Sequence, residues 1–209
     1  MADYTFFTNP MSRGQIVRWA LHEAGADYET ELVDWADKPQ SLLDANPMGK
    51  VPTLVHHHGD HAHVITEAAA ICAYLAETSA PDLLPTEDER ASYLRWMFFA
   101  AGPVEQAVLA KAMGWDVADG KEAMAGFGTF NRTVETLISV LSGRDFICGD
   151  RFTMADVYVG SQVDWGLMFQ SLPDDPVFKA YAERLRERPK YKEAKAIDMA
   201  LIAEAESNG

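Results

Sequence analysis

The chain has 209 residues, which is enough for one large or two small domains with a sizeable core. Its 32 acidic and 18 basic residues give a formal charge of −14. Without a basic run, this argues against nucleic acid, whose binding depends on lysine and arginine neutralising phosphates. No apolar stretch approaches about 18 residues, and the N-terminus lacks the pattern of a signal peptide, so we expect a soluble cytoplasmic protein that does not enter a membrane.

The first 78 residues alternate between strand and helix patterns. Four short runs bounded by turn residues are predicted strands: Tyr4–Thr8, Tyr28–Val33, Thr53–His57 and His63–Ile65. Arg13–Ala24 is a predicted helix that ends at Gly25, so the first two strands should be parallel. Gly59-Asp60 signals a hairpin turn, and Thr66 is expected to cap a helix that runs to about Glu77. The pattern predicts a thioredoxin-like α/β domain over residues 1–78.

The rest of the chain predicts helices only. Ser79–Pro85, with two prolines, is typical of a linker, so the second domain is expected to span residues 86–209. Thr86 and Glu89 form a capping box before a long helix that Gly102-Pro103 should bend. Trp115–Gly128 is a predicted loop. Further helices are predicted at Phe130–Leu141, from Thr153 to about Phe169, from Pro176 and after Pro189.

Four motifs occur in order along the chain and carry a family resemblance. They are Tyr4–Arg13 with Val17–Leu21, Asn46–Leu54, Glu67–Leu75 and Gly149–Asp156. Together they resemble the cytosolic glutathione transferases, in particular bacterial serine-type members. The resemblance implies a thioredoxin-like domain followed by an all-α helical domain, a cytoplasmic homodimer, and a role in detoxification. It also implies conjugation of glutathione, as a thiolate, to apolar electrophiles.

Glutathione carries two carboxylates and an ammonium group, and the resemblance implies a partner for each. Glu67 would accept the γ-glutamyl ammonium, although an acidic residue in a first turn can simply complement the helix dipole. The helix N-terminus at Ala68 would hold the γ-glutamyl carboxylate. Many family members have serine there, so binding should be weaker unless Thr66 supplies a hydroxyl. Lys38 and Lys50 would approach the glycine carboxylate, the alternative being solvated surface charges.

The Val51–Pro52 bond is expected to be cis. X–Pro bonds are cis in only about 5–6% of cases in folded proteins, so only the family resemblance supports this expectation. A cis bond would turn the main-chain groups of Val51 away from the sheet and toward a ligand. Main-chain pairing suits a substrate whose central part is itself a peptide.

The thiol-activating residue is expected in the loop after the first strand. A free thiol with a pKa near about 8.5 is only slightly ionised at neutral pH, so a donor beside the sulfur is needed. Ser12, in Pro10-Met11-Ser12, resembles the loop of the serine-type members, the alternative being an ordinary N-cap. Asn9 and Thr8 are rival donors, and Tyr4 is disfavoured because it lies inside the strand.

Aromatic side chains of the helical domain are expected to be mostly core. They are Trp96, Phe98, Phe99, Trp165 and Phe169, and Leu94 and Met97 share the helical spacing. A minority, Phe99 and Trp165, would line a pocket for the apolar co-substrate together with Phe7 and Met11.

Two further residue types favour structural interpretations. Five histidines (His56, His57, His58, His61, His63) straddle the predicted turn, and adjacent strand residues point to opposite faces, so at most three could converge. Without accompanying cysteines or carboxylates they predict exposed histidines and no metal site. Cys72 and Cys148 do not form a Cys-x-x-Cys motif and are predicted to be inert thiols.

Two other functions remain open from the sequence. One is glutathione-dependent disulfide reduction or peroxidase activity, which related bacterial proteins with Asn or Thr in this loop perform. The other is a non-catalytic binding protein that kept the fold, which Ala68 favours.

Overall fold

The computed structural model describes residues 2–208, which divide into two compact units. Unit 1 runs from the N-terminus to Leu84 and resumes at Glu187, and unit 2 is Pro85–Arg186. The helices of residues 2–208 are α1 (Gly14–Ala24), α2 (Gln40–Ala45), α3 (Ala68–Thr78), α4 (Arg90–Phe99), α5 (Glu105–Met113), α6 (Phe130–Leu141), α7 (Met154–Met168), α8 (Pro176–Arg186) and α9 (Pro189–Asn208). Within this part of the chain, none is long and apolar enough to cross a membrane.

Unit 1 contains a four-stranded mixed sheet. Its strands are β1 (Tyr4–Thr8), β2 (Tyr28–Leu32), β3 (Thr53–His58) and β4 (His61–Thr66), in the order β2-β1-β3-β4. β1 and β2 are parallel, and the other two pairs are antiparallel. The predicted thioredoxin-like α/β layer is confirmed. The prediction that Thr66 caps a helix is wrong, because Thr66 is the last residue of β4 and α3 begins at Ala68.

α1 follows from its sequence pattern. Ile16, Val17, Ala20 and Leu21 are buried, as expected for one apolar stripe of an amphipathic helix. Gly25 ends the helix at φ 60°, where its N–H reaches the carbonyls of the last turn.

The start of α1 lies close to the end of β1. A Cβ atom built on Gly14 would lie 1.9 Å from Thr8 Oγ1, so this crossing requires glycine. The Thr8 hydroxyl is fully buried and makes no hydrogen bond within residues 2–208.

The last helix, α9, packs with unit 1, whereas the sequence placed it in the second domain. Arg18, at 1% exposure on α1, donates to Asp198 at 2.8 Å. Arg188, just before α9, donates twice to Glu23, at 2.6 and 2.7 Å. The Trp19 ring meets the ring of Tyr191 edge-on at 5.0 Å. These contacts join residues about 170 positions apart, which no local pattern could predict.

All the regular secondary structure of unit 2 is helical, as predicted. A π-helical turn at Ala100–Val104 containing Pro103 separates α4 from α5, which confirms an interruption at Gly102-Pro103. Thr153 and Asp156 form the capping box of α7. Burial raises the pKa of Asp156 to about 6, although Ile147, Thr153 and Tyr181 all donate hydrogen bonds to this carboxyl.

The predicted core face of α4 is partly wrong. Leu94 and Phe98 are exposed by 49% and 72%, whereas the buried side chains are Tyr93, Trp96 and Met97. Phe169, after α7, is also exposed. α4 has apolar residues on more than one face, so its spacing alone could not identify the face that packs. The sequence also missed α2 and a short 3₁₀ turn at Pro81–Leu83 in the predicted linker.

Candidate functional site

Three loops meet at one end of the sheet in unit 1. Phe7 of β1 pairs with Thr53 of β3, and Thr53 pairs with Thr66 of β4. Three segments therefore extend from the same end of the sheet: the loop that follows β1, the Val51–Pro52 segment before β3, and Glu67 after β4. The sheet register thus brings the loop after β1, Val51–Pro52 and Glu67 to one end of the sheet.

The loop after β1 is held by its own hydrogen bonds. Ser12 Oγ donates to the Asn9 carbonyl at 2.6 Å and accepts from the Gly14 N–H at 2.9 Å. The Asn9 amide donates to the Val33 carbonyl at 3.0 Å and accepts from the Met11 N–H at 2.9 Å. Because a hydroxyl has one proton, Ser12 must turn away from Asn9 before it can donate to a thiolate.

The two rival hydroxyls in this region are engaged or covered. Thr8 is fully buried. Tyr4 directs its hydroxyl to Thr78 and Ser79, at 3.2 and 3.0 Å, at the C-terminal end of α3. Neither hydroxyl is presented at the surface of the loop.

Two lysines flank the turn before β3. Lys38 lies beside Gly49, with its Nζ atom 3.4 Å from the point where a Cβ of that glycine would lie. Lys50 is exposed. Within residues 2–208 neither lysine forms an ion pair, so two ammonium groups remain available next to this turn.

The Val51–Pro52 bond is cis, as predicted. Pro52 is buried and Val51 is half-buried. In the described part of the chain, neither the N–H nor the C=O group of Val51 makes a hydrogen bond. Since these main-chain groups are unpaired, the segment before β3 is a place where an extended peptide can pair through its own backbone.

The start of α3 presents a carboxylate beside unpaired amides. Glu67 precedes the helix with φ 65° and ψ 115°, a conformation that a residue with a Cβ rarely adopts. Its side chain is exposed and has no partner within residues 2–208. Ala68, at 8% exposure, opens the helix, and the first amides of α3 have no intrahelical acceptor. The helix N-terminus therefore suits an anion, and Glu67 beside it suits a cation.

The four predicted co-substrate residues differ in exposure. Phe7 is only 4% exposed and packs with Val33 and Leu42, so it is a core residue and has little surface for a ligand. Met11 is 57% exposed. Phe99 and Trp165, both in unit 2, are half-buried. Both faces of β1 are covered, because the adjacent residues Phe6 and Phe7 are both buried, so an aromatic residue in this strand is not available to a ligand.

The histidines of the β3–β4 hairpin share one face. His56 pairs with His63 and His58 with His61 in the strand register, so these four side chains lie on the same side. The His56 and His58 ring centroids are 4.8 Å apart. No group of three or more His, Cys, Asp or Glu side chains among residues 2–208 is arranged to hold a metal ion.

This histidine face should make stability depend on pH. Burial and the neighbouring His58 lower the pKa of His56, with Asp3 opposing. The unfolded chain therefore takes up a proton near pH 6.5, whereas the folded chain does so only at lower pH. We expect the free energy of unfolding to fall as the pH drops below about 6.5, and His56→Gln to flatten this slope in urea titrations. His61→Gln, at an exposed position, is the matched control, and equal slopes for both variants would contradict the prediction.

Both cysteines have high pKa values. Burial raises the pKa of Cys72 above its usual range and that of Cys148 to about 12. Both thiols are therefore protonated at neutral pH, consistent with the inert role predicted.

Asn46 is a functional candidate that the sequence patterns did not single out, since it appears there only as the first residue of the Asn46–Leu54 motif. In the structure its buried side chain makes three hydrogen bonds across the turn before β3. The residue type could have predicted this role, since the side chain of an asparagine at the start of a turn commonly forms hydrogen bonds with the backbone that follows.

Comparison with known proteins gives a consistent result. Residues 11–78 match the family model of the glutathione S-transferase N-terminal domain, and residues 91–189 match that of the C-terminal domain. Glutathione S-transferase 1 of Schizosaccharomyces pombe is similar at 31% identity, over 70% of this chain and 66% of that protein. Glutathione S-transferase stcT of Emericella nidulans is similar at 30% identity, over 74% and 72%. A sphingomonad glutathione S-transferase, solved in complex with glutathione, has a TM-score of 0.73 and 27% identity, over 93% and 98%.

Proposed function

Because the chain belongs to the glutathione S-transferase family and is a glutathione transferase enzyme, we propose that it binds glutathione at the end of the unit 1 sheet where Val51 and Glu67 lie. There the enzyme would hold glutathione as a thiolate for attack on an apolar electrophile. The observation that carries this proposal is the unpaired main chain of Val51, next to cationic and anionic groups that match the charges of the tripeptide.

Each end of glutathione has a complementary group in unit 1. The cysteinyl unit pairs with the main chain of Val51, as in strand addition. The glycine carboxylate meets Lys38 and Lys50. The γ-glutamyl ammonium meets Glu67, and the γ-glutamyl carboxylate meets the N-terminal amides of α3 at Ala68.

The thiolate is stabilised by a donor in the loop after β1. Ser12 fills this role when its hydroxyl turns from the Asn9 carbonyl to the sulfur, and Asn9 is the alternative donor. With Ser12 as the donor, the enzyme would be a serine-type member of its family. Lowering the thiol pKa toward neutrality increases the fraction of the reactive anion.

Ala68 weakens the grip on the γ-glutamyl carboxylate. It offers its main-chain amide but no hydroxyl, and one such hydrogen bond contributes roughly 1–2 kcal/mol. The proposed site therefore binds glutathione less tightly than a site with serine at this position.

The second substrate is an apolar electrophile. Met11, exposed on the loop after β1, is the residue of unit 1 proposed to contact the apolar electrophile. The enzyme is proposed to work in detoxification as a cytoplasmic homodimer.

Two assays run side by side test the proposal. Conjugation of chlorodinitrobenzene, followed in a glutathione series, should show saturable turnover, and reduction of hydroxyethyl disulfide should be slower. Faster disulfide reduction than conjugation would replace transferase chemistry with reductase chemistry. Glutathione binding by calorimetry without turnover in either assay would identify a binding protein.

A further inference from the structure

Asn46 fastens the turn that leads into the Val51–Pro52 segment. The residue is 7% exposed. Its Nδ2 group donates to the Lys50 carbonyl at 3.1 Å and to Thr53 Oγ1 at 2.9 Å, and its Oδ1 atom accepts from the Met48 N–H at 3.1 Å. A side-chain amide has two N–H donors and one carbonyl, so Asn46 uses both its ends.

Thr53 completes the arrangement. It is fully buried at the start of β3, and its hydroxyl donates to the same Lys50 carbonyl at 2.9 Å. The Lys50 oxygen thus receives two donors, and those donors are bonded to each other. This closed set of three hydrogen bonds is called the Asn46–Thr53 clamp.

The clamp fixes a peptide unit rather than a side chain. The Lys50 carbonyl and the Val51 N–H belong to one planar peptide group, and in a trans peptide they point in opposite directions. With the Lys50 oxygen held by the clamp, the Val51 N–H must point away from Asn46 and Thr53. That N–H has no acceptor within residues 2–208.

The same turn also places Lys38. The Gly49 N–H donates to the Asn46 carbonyl at 2.7 Å, and Gly49 adopts φ 57°. The Lys38 ammonium lies beside this glycine. The turn held by Asn46 therefore sets the main chain of Val51, and one lysine ammonium lies against its glycine.

The geometry points to Asn46 and Thr53 as positioning residues for glutathione, which aim the Val51 N–H at the cysteinyl unit without touching it. The inference rests on the proposed function for the identity of the ligand. A clamp that positions the peptide should govern glutathione binding through its hydrogen bonds. A turn that serves only packing should depend on the volume at Thr53.

A pair of substitutions at Thr53 separates these roles in the full-length protein. Thr53→Val keeps the volume and removes the hydroxyl, whereas Thr53→Ser keeps the hydroxyl and removes a methyl group. We expect Thr53→Val to raise the Michaelis constant for glutathione roughly tenfold. We also expect it to leave the Michaelis constant for chlorodinitrobenzene within about twofold, since one lost hydrogen bond should act only where glutathione binds. Thr53→Ser should remain near wild type in both.

Asn46→Asp tests the other half of the clamp. Aspartate keeps the acceptor for Met48 but cannot donate to Lys50 or Thr53. Like Thr53→Val, it should raise the Michaelis constant for glutathione. Asn131→Asp, an exposed change of the same charge on α6, is the control and should change nothing.

Limited trypsin digestion gives a readout that needs no glutathione. Cleavage after Lys50, followed by mass spectrometry, should be faster in Thr53→Val and Asn46→Asp than in wild type, Thr53→Ser and Asn131→Asp. If wild type shows no saturation by glutathione, the proposed function fails, while this digestion still tests the clamp. Equal Lys50 cleavage in all proteins, or a larger loss of glutathione binding in Thr53→Ser than in Thr53→Val, overturns the inference.

Discussion

Replacing Glu67 with alanine is expected to raise the Michaelis constant for glutathione by roughly ten- to a hundredfold, because the γ-glutamyl ammonium loses a charge-assisted hydrogen bond. The constant for the electrophile should stay near wild type. A glutathione series at saturating chlorodinitrobenzene measures the first constant, and a chlorodinitrobenzene series at saturating glutathione measures the second. If the glutathione constant is unchanged, the carboxylate serves the dipole of α3 instead.

The backbone of Glu67 supplies a matched control. At φ 65° a side chain with a Cβ is strained, and alanine keeps that strain while glycine relieves it. Glu67→Gly and Glu67→Ala should therefore lose similar glutathione affinity, but the free energy of unfolding, measured in urea, should be about 1 kcal/mol higher for the glycine variant. Equal loss of affinity with different stability would separate the role of the carboxylate from that of the backbone.

Replacing Ser12 with alanine should lower turnover at neutral pH by about 10²–10³, if its hydroxyl is the principal donor to the thiolate. The pKa of bound glutathione should rise toward that of the free thiol, and glutathione affinity should change much less. Turnover measured against pH and a spectroscopic titration of the bound thiol give the two results.

Two further variants distinguish loss of the donor to the thiolate from a purely structural effect on this loop. Ser12 also accepts a hydrogen bond from the Gly14 N–H, so alanine removes this structural hydrogen bond as well as the donor to the thiolate. Ser12→Thr retains a hydroxyl and should recover part of the turnover. If Ser12→Ala keeps full turnover while Asn9→Ala loses it, the catalytic role passes to Asn9, and disulfide reduction gains support.

Features with a local physical cause could be predicted from the sequence. Gly25 marked the end of α1, Gly59-Asp60 marked the hairpin, and α6 spans the predicted Phe130–Leu141. In each case the deciding groups lie within a few residues of one another.

Features decided by distant partners could not be predicted. Which face of α4 is buried depends on the helices that surround it, so the spacing of Phe98 alone is equally compatible with a buried and an exposed position, and Phe98 is exposed. Phe7 was assigned to a pocket, although Val33 and Leu42 cover it. The same limit applies within the candidate site, since the sequence named Ser12 but could not show that its proton points to Asn9.

The packing of α9 on α1 has a consequence for synthesis of the chain. Arg18 and Glu23 leave the ribosome about 170 residues before their partners on or next to α9. At roughly 5–20 residues per second, α1 stays without these partners for about ten to thirty seconds. The domain that starts first is therefore completed last, and a nascent chain stalled before Pro189 would still expose the surface that Asp198 and Tyr191 later cover.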